Sequence, residues 1–440
     1  EEFKTYLDTQ TMEQLSKWCG ISVTDIEKLT EIFCSTAKIP LVAYTGLEYQ
    51  LSAIQNNRAI FVLWAITGKL DAPGAIYLNA KGLEAPKLFE IPEDDKPIGV
   101  DEFPLFYKFS GLGQFSRFPK AVLEDEPYPV RGLMILGGSP VLSFPDSKSW
   151  REAYKKLDCL IVLDRYFTED ARYADVVFPA CSLFEVPKAV PGPEGPHIVE
   201  PLIEPVGESK NDVLIMGAIA KKLGFGDKLP QTEEELRSWL LSGTAPYAGD
   251  FGTSADQKKE KHYKKYETGE LRADGKPGFP TPSGKLEICS TILEENGFVP
   301  YPEYKDVRSI PELAGKEYPF TMTSGARSNN RMGVFGANLD KIAEIEPYPF
   351  VDINAEDAKE IGIEDGDMVK VITPFADGTF KAKIRGIARH AIHIPHGGGS
   401  AYMAEPWKNG NVNDLCSLDY ADPMTGFVLI KSVPCRVEKV

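Results

Sequence analysis

Paired cysteines are what this sequence most plainly lacks. Its seven, Cys19, Cys34, Cys159, Cys181, Cys289, Cys416 and Cys435, lie far apart, and none shows the Cys-x-x-Cys spacing of zinc or iron–sulfur sites. Any cluster the protein uses must therefore be bound elsewhere. An odd count without a framework suits a reducing, cytoplasmic compartment, and buried hydrophobe is the plain reading of most of these residues. Because the chain opens at Glu1 with neither methionine nor signal sequence, an exported location stays open. Long apolar runs are missing too: none approaches the roughly 20 residues needed to span a bilayer. Basic excess is absent, with 49 Lys and Arg against 65 Asp and Glu and a net charge of -16. That balance argues against nucleic acid, whose phosphates need a basic patch, and otherwise serves solubility.

What is present is a globular chain of 440 residues, enough for two or three domains that each bury a core. Its centre of organisation lies between Arg131 and Gly226. Gly132-Leu133-Met134-Ile135-Leu136, Leu160-Ile161-Val162-Leu163 and Val176-Val177-Phe178 are short apolar runs bounded by turn or helix signals. They read as strands buried on both faces of a parallel sheet, with helix-forming Ser147 to Leu157 as a crossover. The fold class is α/β, a doubly wound parallel sheet. Ligands of such sheets sit off the carboxyl ends of the strands, where Gly138-Ser139 and Asp164 stand. Small residues let a backbone approach a phosphate, and a carboxylate suits the N–H donors of a purine or the hydroxyls of a ribose. The site faces a nucleotide.

Upstream, residues 11 to 36 read as helix, with Thr24-x-x-Glu27 as a capping box and Ile26, Leu29, Ile32 and Phe33 on one face. Pro40 to Tyr44 reads as a strand, and Ser52 to Thr67 as a mostly buried helix stopped at Gly68. Residues 80 to 130 read as irregular and aromatic, either a loop packed over the core or a substrate funnel. Gly111-Leu112-Gly113 within them lacks the strand and third glycine of a dinucleotide fingerprint. Asn211 to Leu223 reads as a helix ended by Gly224. Residues 242 to 282, with Lys258, Lys259, Lys261, Lys264 and Lys265, read as a solvated excursion. Thr281-Pro282-Ser283-Gly284-Lys285 mimics a phosphate loop, but the upstream glycine is missing.

From Tyr318 the pattern turns to short strands: Phe320–Thr323, Phe350–Ile353, Asp367–Thr373 and Thr379–Ile384, with Asp377-Gly378 as a hairpin turn and a helix capped by Asn354. This predicts a small closed β-barrel at 318–440 with an inserted helix, a form that also occurs without any cofactor. The expected domains are 1–40, the end of an upstream α/β domain; 41–300, the nucleotide-binding domain; and the barrel. Three polar runs in the barrel need partners. Arg327, after Ser324-Gly325-Ala326, can fork onto a phosphate. His396 precedes Gly397-Gly398-Gly399, a run able to approach a flat ligand. Asn411-Val412-Asn413-Asp414 supplies amide donors and acceptors. His390 and His393 read as structural residues, satisfied within the barrel.

The order Gly137-Gly138-Ser139-Pro140, then Leu163-Asp164-Arg165-Tyr166-Phe167-Thr168-Glu169-Asp170-Ala171, then Ala174-Asp175-Val176-Val177-Phe178-Pro179-Ala180 resembles the molybdopterin oxidoreductases of the dimethyl sulfoxide reductase family. Pro193-Glu194-Gly195, Glu204 to Lys210, Asp422 to Phe427 and Cys435-Arg436-Val437 follow where that family has similar motifs. The resemblance implies a terminal barrel of the double-psi type and a bis-molybdopterin guanine dinucleotide cofactor carrying molybdenum or tungsten. It implies Asp164 at a guanine, Thr168 near its phosphate arm and Gly138-Ser139 at the pyrophosphate. Ser324, Gly325, Arg327, His396, Gly397, Asn413 and Lys431 would face the second dinucleotide or its pterin. Many members carry Asn where this chain has Ser139, so that contact loses an amide pair.

The resemblance covers roughly the C-terminal two thirds of a catalytic subunit. It implies an upstream portion carrying a [4Fe-4S] cluster and the metal ligand, a ferredoxin-like subunit as partner, and a small-molecule substrate. The activity implied is two-electron or oxygen-atom transfer. The alternatives are a non-redox hydratase or transhydroxylase of the same family, and a cofactor-less scaffold like the large iron–sulfur subunit of respiratory complex I.

Overall fold

The computed structural model describes residues 1–78, 96–190, 192, 195–242, 262–325 and 339–440. Two compact units emerge, and both central features fall in one of them.

The first unit gathers, among the described residues, 1–48, 52–78 and 262–305. The helix expected over 11–36 is two helices, Met12–Cys19 and Val23–Ser35, because Gly20 takes a left-handed conformation (φ 69°) that ends the first. Ser22, not Thr24, caps the second: its hydroxyl oxygen accepts from the Asp25 N–H at 3.2 Å. Pro40 to Tyr44 forms no strand, and Val42 is 95% exposed. A β-propensity run with no ladder partner among the described residues has nothing to hold it extended. The helix Ala53–Ile66 forms as expected but buries only one side, through Ala53, Gln55, Val62 and Trp64. Phe61, Leu63 and Ile66 remain exposed.

The second unit gathers, among the described residues, 49–51, most of 96–242, and 306–440. Its parallel sheet runs in the order β1 (Gly132–Leu136), β2 (Cys159–Asp164), β3 (Val176–Pro179). The register pairs Met134 with Ile161 and Val162 with Val177. The crossover helix Ser147–Lys156 starts at Asp146, whose carboxylate accepts from the Ser149 N–H, and turns Trp150, Ala153 and Tyr154 inward at i, i+3 and i+4 spacing. Only β2 is well buried; β1 and β3 are partly exposed as the outer strands of the three, β3 being met on its far side only at its end, where the Lys210 N–H donates to Pro179 O at 3.1 Å. Within 96–130, expected to be irregular, Pro104–Ser110 and Phe118–Glu124 are helices; each has proline near its start, and residues in left-handed conformation end them. A small antiparallel pair, β4 (Lys188–Val190) and β5 (His197–Val199), follows, then the helix Asp212–Lys222 capped by the Asn211 side chain.

The barrel is closed in the order β10-β6-β11-β8-β9-β7. Its strands are β6 (Phe320–Ser324), β7 (Phe350–Asn354), β8 (Met368–Ile372), β9 (Asp377–Arg385), β10 (Ala391–Ile394) and β11 (Val433–Lys439). Two parallel pairs, β6 with β10 and β7 with β9, interrupt the antiparallel ladder, the mixed crossing of a double-psi barrel. Alternate residues such as Met322, Ile353, Val371, Phe380 and Ile392 fill the interior. Asp377-Gly378 is not the hairpin turn. It is already in β9, opposite Ile372 and Val371, and the chain reverses at Thr373–Ala376, closed by Thr373 N–H to Ala376 O at 2.9 Å. The expectation that both histidines are satisfied holds only in part: His393 Nδ1 meets Asp352 at 3.1 Å while its Nε2 is buried without a partner, and His390 donates its backbone N–H to Asp357 while its side chain is 65% exposed.

Candidate functional site

Three loops of the second unit meet around the carboxyl ends of β1 and β2. The first, 137–146, follows β1. Gly137 (φ 58°) turns the chain and donates to Leu163 O. A Cβ at Gly138 would touch only Ile135 Cγ2 and Leu136 O, each at 3.9 Å, so packing does not require a glycine there. Ser139 is buried, and its hydroxyl donates to the carboxylate of Asp170.

The second loop follows β2. Asp164 ends the strand, accepting from the Tyr166 N–H at 3.0 Å with one oxygen. Asp212, at the start of the helix 212–222, senses it: burial raises the Asp212 pKa first and the Asp164 charge raises it further, against an opposing pull from Arg165. Two carboxylates facing one region make an acceptor-rich surface, the complement of a guanine edge. Thr168 is buried and accepts from the Ala171 N–H at 3.3 Å, an arrangement that leaves its own proton available to an acceptor.

The third loop belongs to the barrel, from His396 to Asn413. Its glycines are needed partly for packing: at Gly398 (φ 90°) a Cβ would lie 2.7 Å from Gly410 O. Gly397 also has positive φ. Asn413 joins this loop to the first. Its amide donates to Leu142 O at 2.7 Å, and its backbone oxygen accepts from the Asp146 N–H at 2.9 Å. Asn411 reinforces the seam by donating to Ser147 Oγ at 2.9 Å. Asn413 Oδ1 is fully buried without a hydrogen-bond partner, a state that costs about 1–3 kcal/mol when nothing fills it.

At the barrel rim a second group converges. Lys431 Nζ donates to Ser324 O, and burial lowers its pKa. A Cβ on Gly325 (φ 99°) would stand 2.7 Å from Lys431 Nζ and 3.2 Å from His396 Nε2. The absent side chain therefore makes room for the Lys431 ammonium and the His396 imidazole, which pack directly against the Gly325 backbone. Ser324 contributes only through its backbone here, since its buried hydroxyl donates to Ile430 O at 3.1 Å. Arg327, with Ala326 and Ser328, lies outside the described residues, as do Pro193, Glu194 and the stretch 243–261 of the expected excursion.

The residues predicted from sequence thus fall into a strand-end group (Gly138, Ser139, Asp164, Thr168), a rim group (Gly325, His396, Lys431, with Gly397 in the same loop as His396) and Asn413 at the seam. Asp212 was not predicted, since an aspartate after Asn211 reads as an ordinary helix start. Glu169 and Asp170 stood inside a quoted run without being singled out.

Two family patterns match this chain. The pattern described as "Molybdopterin oxidoreductase" matches residues 48–222, and "Molydopterin dinucleotide binding domain" matches 321–434. The chain belongs to the molybdopterin oxidoreductase family. The probable oxidoreductase YoaE of Bacillus subtilis is 28% identical, over 84% of this chain and 53% of that protein. The F420-dependent formate dehydrogenase subunit alpha of Methanocaldococcus jannaschii is 27% identical, over 90% of this chain and 59% of its own. Among solved structures, acetylene hydratase from Pelobacter acetylenicus shares the fold with a TM-score of 0.79 at 20% identity, covering 100% of this chain and 66% of that one. The chain spans a little over half the length of these curated relatives. Among the described residues, no helix is long and apolar enough to cross a membrane, and no group of three His, Cys, Asp or Glu could hold a metal ion.

Proposed function

We propose that this chain is the part of a molybdenum or tungsten oxidoreductase that grips both guanine dinucleotides of a bis-molybdopterin cofactor. The observation that carries the reading is the pairing of an acceptor-rich strand end with a cationic rim in one compact unit. Asp164 and Asp212 suit the N–H edge of a guanine; Thr168 can donate to the adjoining phosphate arm, with Gly138-Ser139 beside it. At the rim, Gly325 lets Lys431 and His396 come together, and these supply polar groups for a phosphate or pterin; Gly397 lets a flat group come close. Arg327 joins this group as an expectation from sequence. Asn413 Oδ1, buried without a partner, wants the N–H donor that a pterin carries. The residues present fit the group.

When bound, the cofactor supplies a metal that changes oxidation state by two electrons, with oxygen-atom or hydrogen transfer. This chain's own residues bind and orient it. The domain division at 1–40, 41–300 and 318–440 belongs to the same reading. A [4Fe-4S] cluster, which no cysteine spacing here supports, would sit on other polypeptide, as would the metal ligand, with a ferredoxin-like subunit as electron partner and the cytoplasm as setting. The test is composition. The native assembly should contain molybdenum or tungsten and release about two GMP per metal on acid hydrolysis. A preparation free of both metals and of GMP defeats the reading in favour of the scaffold.

A further inference from the structure

The carboxylate of Asp170 is the hub of the loop after β1, although the residue belongs to the loop after β2. It is fully buried and collects hydrogen bonds from Ser139 Oγ, from the Val141 N–H at 3.1 Å and from Tyr154 OH at 2.8 Å. It forms no ion pair with a lysine or arginine among the described residues; burial raises its pKa, and the three donors pull against that rise without cancelling it. Its neighbour Glu169, also buried, reaches the other way: one oxygen takes the Ala401 N–H of the barrel loop at 3.0 Å, and the other pairs with Arg172 at 2.7 Å. Two adjacent carboxylates thus tie the β2 loop to both of the loops it must cooperate with.

The tie to Ser139 has a chemical consequence. A serine hydroxyl has one proton and two lone pairs. With the proton committed to Asp170, Ser139 can offer a ligand only lone pairs. We propose that Asp170 is a positioning residue that makes Ser139 an obligate acceptor, so that this loop takes a hydroxyl or amine of the dinucleotide rather than a phosphate oxygen. The proposal rests on the cofactor reading above and changes one of its contacts: the group beside Ser139 is a ribose hydroxyl or a ring N–H, and the phosphate arm is left to Thr168, whose proton is uncommitted. It also gives Asp170 and Ser139 one joint role.

Replacing Asp170 by asparagine tests this directly. To keep accepting from Val141 and Tyr154, the amide must present its NH2 to Ser139. The serine then becomes the acceptor of that bond, and its proton turns toward the ligand. The measurement is GMP retained per chain after gel filtration of the holoenzyme, for the wild type, Ser139→Ala, Asp170→Asn and the double variant, with thermal unfolding of each. Ser139→Ala should lower retention about tenfold, the loss of one hydrogen bond, and Asp170→Asn at least as much. Adding Ser139→Ala to Asp170→Asn should then do no further harm, because it removes a misdirected donor.

Additive losses overturn the proposal, as does a gain in retention for Asp170→Asn, which would put a phosphate at Ser139. Tyr154→Phe removes a donor from the same carboxylate without touching Ser139 and should leave retention unchanged. A loss equal to that of Asp170→Asn would reduce Asp170 to a packing role. Should Asp170→Asn not fold, Ser139→Ala still decides: unchanged retention overturns the proposal. A wild-type holoenzyme without GMP overturns the cofactor reading itself, whereas normal GMP with additive variants overturns only the role of Asp170.

Discussion

Lys265 Nζ stands 2.6 Å from Asp71 Oδ1, a partner 194 residues away in the chain, and both side chains are buried. The ammonium also donates to His262 O at 2.8 Å and sits 3.8 Å from the centre of the Tyr77 ring. Asp71 takes the backbone N–H of Lys265 at 2.8 Å and of Leu78 at 3.2 Å. Removing one member of such a pair strands the other charge in low dielectric. Lys265→Met should therefore cost about 3–5 kcal/mol, read as a lower midpoint in urea unfolding followed by a probe in the first unit. A change below about 1 kcal/mol would show that water reaches the site and that the pair behaves as a surface one.

Lys265 also shows where sequence reading stops. In a lysine-rich run among Gly, Asp and Glu it reads as solvated, and only the fold brings Asp71 to it. The strands around Asp164 and in the barrel were legible because their apolar runs and turn residues are local. The strand expected at Pro40–Tyr44 was misread for the opposite reason: propensity was present, but pairing is a tertiary fact. Within the site, His396 stands out by the glycine run that follows it, whereas Gly325 and Lys431 enter only through the family resemblance, and the meeting of the three at one point of the rim is not legible in the sequence. Asp212 and Asp170 were invisible as functional groups, because what matters about them is a neighbour on another element.

Glu185 predicts an acid-sensitive hinge. Hydrogen bonds from Ser182, through side chain and backbone, and from the Val206 N–H hold its carboxyl down to about 2, from an ordinary 4.5. The backbone contacts are both 2.5 Å, joining the turn after β3 to the turn near Val206. A folded-state pKa below the unfolded one means the contribution is complete above about pH 4.5 and is lost as pH falls toward about 2. Glu185→Gln should accordingly be less stable than wild type at pH 6, with the gap narrowing below about pH 4.5 and closing only near about pH 2. A gap independent of pH would assign the loss to packing.

Gly325→Ala should damage the rim in two ways. The residue sits at φ 99°, where an L side chain is strained, and the added methyl would lie 2.7 Å from Lys431 Nζ. The backbone term is about 1–3 kcal/mol, seen as a lower unfolding midpoint. The methyl must also push the Lys431 ammonium off Ser324 O or move the His396 ring. The expected result is a loss of bound GMP larger than that of a variant with equal destabilisation elsewhere in the barrel, such as Ile392→Ala. Equal losses would mean that Lys431 and His396 at this point of the rim touch no part of the cofactor.

Asp164 and Asp212 give the sharpest test of the strand-end site, because each reports on the other. A carboxylate accepting from a guanine N–H contributes about 1.5–3 kcal/mol per charge-assisted bond, so Asp164→Asn, which presents a donor in place of an acceptor, should lower GMP content at least about tenfold. The fold should survive, since the residue is only half-buried at a strand end. The same substitution removes a negative charge that helps to raise the pKa of Asp212. Carboxyl NMR should therefore show Asp212 titrating at lower pH in the variant, though still above the usual range, because burial is the larger cause. The two readouts separate the possibilities. A moved Asp212 titration with unchanged GMP would confirm the carboxylate pair but place the guanine elsewhere. An unmoved titration with lost GMP would mean that Asp164 binds the base alone and that Asp212 faces another group. Only a shift in both supports two carboxylates holding one guanine edge between them.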